Sequence, residues 1–183
     1  MSAVEASALL AVLPDAAVSA AHGVVTADVP RERWVAAAQR VRDDPGLDAT
    51  FFDLLTVVDQ SPGGFEVVVR LWSVARRHGL HLRTACPRDD ARVPSLVPVF
   101  AGASWHERAA AELFGVHFDG HPDPRPLLLA EQAPRWPLRK DHGLPRRDAT
   151  AWPGAVDPAS SGEGGRPPRR RLLPPGAPAP GRT

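Results

Sequence analysis

Residues 65–74, Phe65-Glu66-Val67-Val68-Val69-Arg70-Leu71-Trp72-Ser73-Val74, alternate with period two. Phe65, Val67, Val69 and Leu71 fall on one side and Glu66 and Arg70 on the other, the pattern of a strand with one buried face. Both flanks repeat the signal. Upstream, residues 49–58 form a β-branched and aromatic run, and Gln60-Ser61-Pro62-Gly63-Gly64 reads as a hairpin loop between the two. Downstream, Arg76-Arg77-His78-Gly79 reads as a second turn. Residues 80–85 then form a third strand, with Leu80, Leu82 and Thr84 opposite His81 and Arg83. Three consecutive strands joined by short turns make an antiparallel meander, whose apolar side needs helices over it. The fold class is α+β, an antiparallel sheet covered by helices.

The early part of the chain supplies the cover. Residues 3–13 look like a short amphipathic helix ended by Pro14, and residues 23–29 alternate weakly, as a strand would. Pro30 opens a second helix on which Trp34, Ala37, Ala38 and Val41 share one face, and Asp43-Asp44-Pro45-Gly46 stops it. After Pro94 an apolar segment, residues 95–100, leads into Ser104-Trp105-His106-Glu107, which matches the capping-box pattern. There the Ser104 hydroxyl would accept the Glu107 amide and the Glu107 side chain would return to Ser104. Trp105, Ala109 and Leu113 recur every four residues, and Gly115 stands where a left-handed cap belongs, so a helix is expected over 105–114.

Beyond that helix the periodicity fades. Residues 116–152 are rich in Pro, His, Asp and Arg, with one apolar cluster at Leu127-Leu128-Leu129. A stretch with so little core of its own must lie across something, and another polypeptide is the expectation. From Pro153 onward Pro and Gly dominate, and such a tail cannot bury enough apolar surface to offset its ordering entropy. The organisation expected is an α+β domain over 1–115, an extended partner-binding segment over 116–152 and a disordered Pro/Gly/Arg-rich tail over 153–183.

Composition excludes several functions. A formal charge of +1 gives no overall field to recruit nucleic acid or an acidic membrane. Cys86 is the only cysteine, so an internal disulfide, a Cys-rich zinc site or an iron–sulfur cradle cannot form within the chain. The most apolar stretch, residues 4–25, is interrupted by Pro14, Asp15 and His22, so no transmembrane segment is expected. The N-terminus lacks an early Lys or Arg and carries Glu5, which makes a poor secretory signal and points to the cytoplasm.

The short motifs also fail as active sites. His106-Glu107 would need a second histidine at position 110, which is Ala110. His117 and His121 are four apart, but Gly120 and Pro122 argue against a helix between them, and surface or hydrogen-bonded histidines fit better. Gly63-Gly64 is not followed by Gly-Lys-Ser/Thr, and the chain has no Gly-x-Gly-x-x-Gly and no Gly-x-Ser-x-Gly. Arg169-Arg170-Arg171 is a solvated cluster too short, and too poor in interleaved aromatics, for a nucleic-acid site.

Four ordered blocks stand apart. These are Trp105-His106-Glu107-Arg108, Leu113-Phe114-Gly115-Val116, Phe118-Asp119-Gly120-His121-Pro122-Asp123 and Pro137-Leu138-Arg139-Lys140-Asp141. In order and spacing they resemble the signature of the C-subunit family, the small hydrophilic peripheral-arm component of the proton-pumping NADH:quinone oxidoreductase, respiratory complex I. The resemblance covers residues 47–145 and is strongest from 93 on. It implies an α+β domain with no catalytic residue, cofactor or metal of its own, flavin and iron–sulfur clusters being carried by partner subunits. It implies a peripheral place on the cytoplasmic side of the cell membrane. It further implies a C-terminal segment wrapping a D-like subunit, which with a B-like subunit forms the quinone site, so that quinone is met only indirectly. The partner-interface anchors it implies are Arg108, His121, Asp123, Arg125, Arg139, Lys140 and Asp141. Its function would then be to position the quinone-site subunits.

Departures from the family pattern are Ala109 in place of an acid, Ala111 in place of an aromatic and Glu112 in place of Asp. Pro124 and Pro126 flank Arg125 where an apolar residue and an Arg are usual, and His142-Gly143 replaces an aromatic and a Pro. Two other readings stand beside this one. The first is the equivalent subunit of a membrane-bound hydrogenase-type complex; the second is a free-standing metal-dependent enzyme built on His106, His117 and His121.

Overall fold

The computed structural model describes residues 5–143. The expected tail over 153–183, and the last part of the expected partner-binding segment, lie outside the described residues. The chain opens with α1 (Ala6–Val12), which buries Leu9 and ends before Pro14. A hairpin follows, β1 (Ala17–Ala21) with β2 (Val24–Asp28), turned through His22 and Gly23, both at positive φ (52° and 75°). Two consecutive left-handed residues are what a tight two-residue hairpin turn requires. Strand β1 has no counterpart among the expected elements, because alanine-rich, mostly exposed Ala17-Val18-Ser19-Ala20-Ala21 carries neither β propensity nor alternation.

A 3-10 turn at Arg31–Arg33 then leads into α2 (Trp34–Asp43). Its buried face is the expected one, Trp34, Ala37, Ala38 and Val41. The helix stops where Asp44 turns to extended backbone and its carboxylate accepts the amides of Gly46 (2.8 Å) and Leu47 (2.9 Å).

The meander is present as read: β3 (Phe51–Asp59), β4 (Phe65–Ser73) and β5 (His78–Cys86), antiparallel in turn. The second turn is shorter than expected, since β5 already begins at His78. Register places Leu55, Val69 and Leu82 in one row and Val57, Val67 and Thr84 in the next, all buried. An irregularity between Phe52 and Leu54 lets both Phe52 and Leu55 turn inward. β5 does not end the sheet. It pairs in parallel with β2, giving the order β1-β2-β5-β4-β3. The return of the chain over α2 makes that one parallel pair, and no local signal announces it.

Past β5 come β6 (Arg92–Pro94), α3 (Ala103–Phe114) and β7 (His117–Asp119), with β6 and β7 forming a short parallel pair. Val93, Leu96, Ala103, Ala110, Val116 and Phe118 join the same core as α1, α2 and the inner sheet face. The core therefore continues beyond the expected domain boundary at residue 115. The opposite sheet face carries exposed Phe51, Leu54 and Val58 among paired charges such as Asp53 with Arg70 (3.1 Å). Cys86 is buried at the end of β5, and burial raises its thiol above the ordinary value, as suits a small core residue.

Candidate functional site

The site is built on α3. The helix starts at Ala103, one residue before the expected cap, and Gly102 before it is in right-handed backbone with no side-chain cap. The capping box of Ser104 and Glu107 is therefore not formed. Backbone turns over 96–104 satisfy the entry instead, with Ala103 N–H on the Phe100 carbonyl (3.0 Å) and Ser104 N–H on that of Ala101 (3.3 Å). That leaves Glu107 free to turn inward. It is fully buried and accepts the Ser95 hydroxyl (2.6 Å) and the Leu96 amide (2.7 Å), so it ties the 95–100 segment to the helix. Burial pushes its carboxyl above the ordinary value, partly opposed by those two bonds and by nearby His121.

The far end of α3 fits the reading. Gly115 caps it in the left-handed region (φ 73°), its amide on the Ala111 carbonyl. A methyl group there would lie 2.5 Å from both the Trp136 ring and the Arg139 guanidinium. Trp105, Ala109 and Leu113, by contrast, are not a core stripe. Ala103, Glu107 and Ala110 face inward, and Trp105 is 63% exposed.

Residues 121–143 have no strand or helix of their own, yet they lie on this chain. The expectation that another polypeptide must support them is corrected: α3 and the end of the sheet supply the surface. His121 Nε2 contacts the Ser104 carbonyl (3.2 Å) and its Nδ1 lies 3.0 Å from the Asp123 amide. Arg108 donates to the carbonyls of Arg125 (2.7 Å) and Pro126 (2.9 Å), with Asp123 3.6 Å away. Asp123 and Arg125 pair side by side (2.6 and 2.8 Å), and that guanidinium draws the Asp123 carboxyl down to about 2. Glu112 accepts the amides of Leu128 (2.7 Å) and Leu129 (3.3 Å).

This segment, residues 121–143, forms a strap that then turns back to the C-terminal end of α3. Leu138 N–H meets the Leu113 carbonyl (3.1 Å), and Arg139 Nε meets that of Phe114 (2.6 Å). The Arg139 guanidinium stacks on Trp136 (3.8 Å) and faces Phe65 (5.1 Å). The Lys140 amide reaches buried Asp59 Oδ2 (2.8 Å), and Arg88 bridges Asp59 to Asp141 (3.0 Å). The residues expected to anchor a partner are thus gathered around α3 and the end of β3, and all but Lys140 use their side chains within this chain. Glu112, Asp59, Arg88 and Ser95 were missed as site residues. Glu112 stands four residues after Arg108 on one helix face, a readable signal, whereas Asp59 gives none in the sequence.

The three histidines of the metal-enzyme reading do not converge. His106 Nδ1 sits at the outer edge of β3, 3.4 Å from the Leu55 nitrogen and 3.2 Å from its carbonyl oxygen. His117 lies exposed beside Asp119 (3.4 Å), and His121 holds the strap. Among the described residues, no group of three His, Cys, Asp or Glu side chains is placed to hold a metal ion.

The family model described as the respiratory-chain NADH dehydrogenase, 30 Kd subunit, matches residues 27–148. The chain belongs to that family. Its relatives include the C subunit of the NADH-quinone oxidoreductase of Roseiflexus castenholzii, 39% identical over 138 residues, which spans 73% of this chain and 79% of that protein. Another is the C subunit of the Chloroherpeton thalassium enzyme, 35% identical over 112 residues, covering 61% of this chain but only 47% of that protein's length. Among solved structures, a chain of the membrane-bound sulfane sulfur reductase, an archaeal respiratory membrane complex, shares the fold. Its TM-score is 0.64 at 23% identity, covering 75% of this chain and 83% of that one. The residues that the 30 Kd family model matches take in α2, the sheet from β3 to β5, α3, β7 and the strap.

Proposed function

We propose that this chain is a non-catalytic subunit of a membrane-associated NADH:quinone oxidoreductase that holds the quinone-site subunits in position. Family membership supports the reading. The observation that carries it is the outward side of α3 and its strap, where Trp105, Leu128 and Leu138 are 63%, 62% and 53% exposed. Large apolar side chains held out from an anchored segment are what a partner surface needs, since such residues form the centres of interfaces. In this reading D-like and B-like subunits are the partners, and quinone is met only through them. Flavin and iron–sulfur clusters belong to other subunits. Attachment is peripheral, on the cytoplasmic side of the membrane; no helix among the described residues is long and apolar enough to cross one.

The test is recovery of the tagged full chain from solubilised membranes. D-like and B-like chains in stoichiometric amounts are the expected result, and a monomer with affinity for neither overturns the proposal. A second reading, the equivalent subunit of a hydrogenase-type complex, draws on the fold shared with a chain of a different respiratory assembly. The same preparation separates the two: a flavin-bearing chain supports the first, and a nickel-ligating large subunit the second.

A further inference from the structure

We propose that Arg108 and Glu112 form a main-chain clamp that sets the path of the strap, and with it the placement of Leu128, before any partner arrives. The two residues lie one turn apart on α3 and carry opposite charges. Each grips the kind of backbone group that its charge selects: the Arg108 guanidinium takes the carbonyls of Arg125 and Pro126, and the Glu112 carboxylate takes the amides of Leu128 and Leu129. Together they do for residues 125–129 what a neighbouring strand would do, satisfying backbone groups that have no ladder.

The strap sequence suits such a grip. Pro124 and Pro126 have no amide to satisfy, and their fixed φ holds the chain extended on either side of Arg125. The two prolines therefore favour the clamped path. Because every contact with the strap except that with Asp123 is to main chain, the clamp fixes where the strap runs and not which side chains it carries. Leu128 gives its amide to Glu112 while remaining 62% exposed, so the bond that anchors it also holds its side chain outward. Glu112 is ionised for the task. Burial would raise its carboxyl, but the amides of residues 127–129 and the charge of Arg108 outweigh that and leave it below the ordinary value. Both residues act through the strap, so they are positioning residues.

This inference rests on the partner-holding reading, and its test has two arms that fail separately. In the first, amide exchange is followed on the free full chain. Leu128 and Leu129 are expected to be protected in the wild type and to lose that protection in Glu112→Ala, while the amides of β4 and β5 keep theirs. Free exchange of both leucines in the wild-type chain overturns the clamp. In the second, capture of the D-like chain is measured. Glu112→Ala is expected to weaken it about tenfold, the cost of ordering a few residues on binding, with Glu112→Asp restoring most of the loss. Capture unchanged by Glu112→Ala, with the leucines released, overturns the positioning role. Absence of capture by the wild type overturns the partner-holding reading and leaves the exchange arm to decide the clamp.

Discussion

Glu107 and Gly115 show how much single positions decide. Glu107 is buried as an acid between the helix and the 95–100 segment, with its carboxyl raised above the ordinary 4.5. A group that binds its proton more tightly in the folded state favours folding below its unfolded value, and that contribution is lost as pH rises through the folded one. Glu107→Gln keeps an acceptor for the Leu96 amide but does not titrate. Denaturant midpoints are therefore expected to show wild type losing ground to Glu107→Gln as pH rises from about 4.5 towards neutrality. A pH-independent difference would contradict this assignment. At Gly115 a side chain would meet both a left-handed backbone and two aromatic or guanidinium neighbours at 2.5 Å. The backbone alone costs about 1–2 kcal/mol, so Gly115→Ala should destabilise by more than that in urea unfolding, with the strap displaced from Trp136.

Among the elements, the strap is the one held by charge where the others are held by packing. Asp59, Glu112 and Asp123 all have carboxyls below their ordinary values. In the first two, backbone amides and nearby arginines outweigh burial, and in the third Arg125 dominates. Their sign is opposite to that of Glu107: they favour the anchored state above the unfolded values, and this is lost as pH falls through the folded ones. Acidification below the ordinary 3.8 and 4.5 of Asp and Glu is therefore expected to free the strap amides of Leu128, Leu129 and Lys140 before those of β4 and β5. Protection factors from amide exchange at neutral and acid pH would check it, and simultaneous release of strap and sheet would contradict it.

The same division explains what could be read in the sequence. The meander and α2 were legible because apolar periodicity decides them: Phe65, Val67, Val69 and Leu71 are buried on one side of β4, as are Trp34, Ala37, Ala38 and Val41 on α2. Strand β1 and the β2–β5 pair were not, since alanine carries little signal and a parallel neighbour is chosen by the course of the chain. At the site, the residue types were legible and their partners were not. Glu107 fits a capping box by spacing, but three-dimensional proximity gives it Ser95 and Leu96 instead. Arg108 and Arg139 were expected to face another subunit, yet their nearest acceptors are main-chain carbonyls of this chain. Side-chain to backbone bonds of that kind have no sequence code, because any residue supplies the backbone.

At the scale of the whole molecule, a sheet-and-helix body shapes its own C-terminal segment, and in the proposed function that segment meets neighbouring subunits. Lys140 makes this directly measurable, because it is the only lysine in the chain. Its side chain is exposed while its amide is fixed to Asp59. An amine-reactive cross-linker applied to the solubilised assembly therefore marks one internal point, and that point lies on the strap. We expect Lys140 to be recovered joined to a D-like or B-like chain. Recovery of Lys140 without any link to another chain, from an assembly whose remaining subunits are cross-linked to one another, would contradict the claim that this face holds a partner.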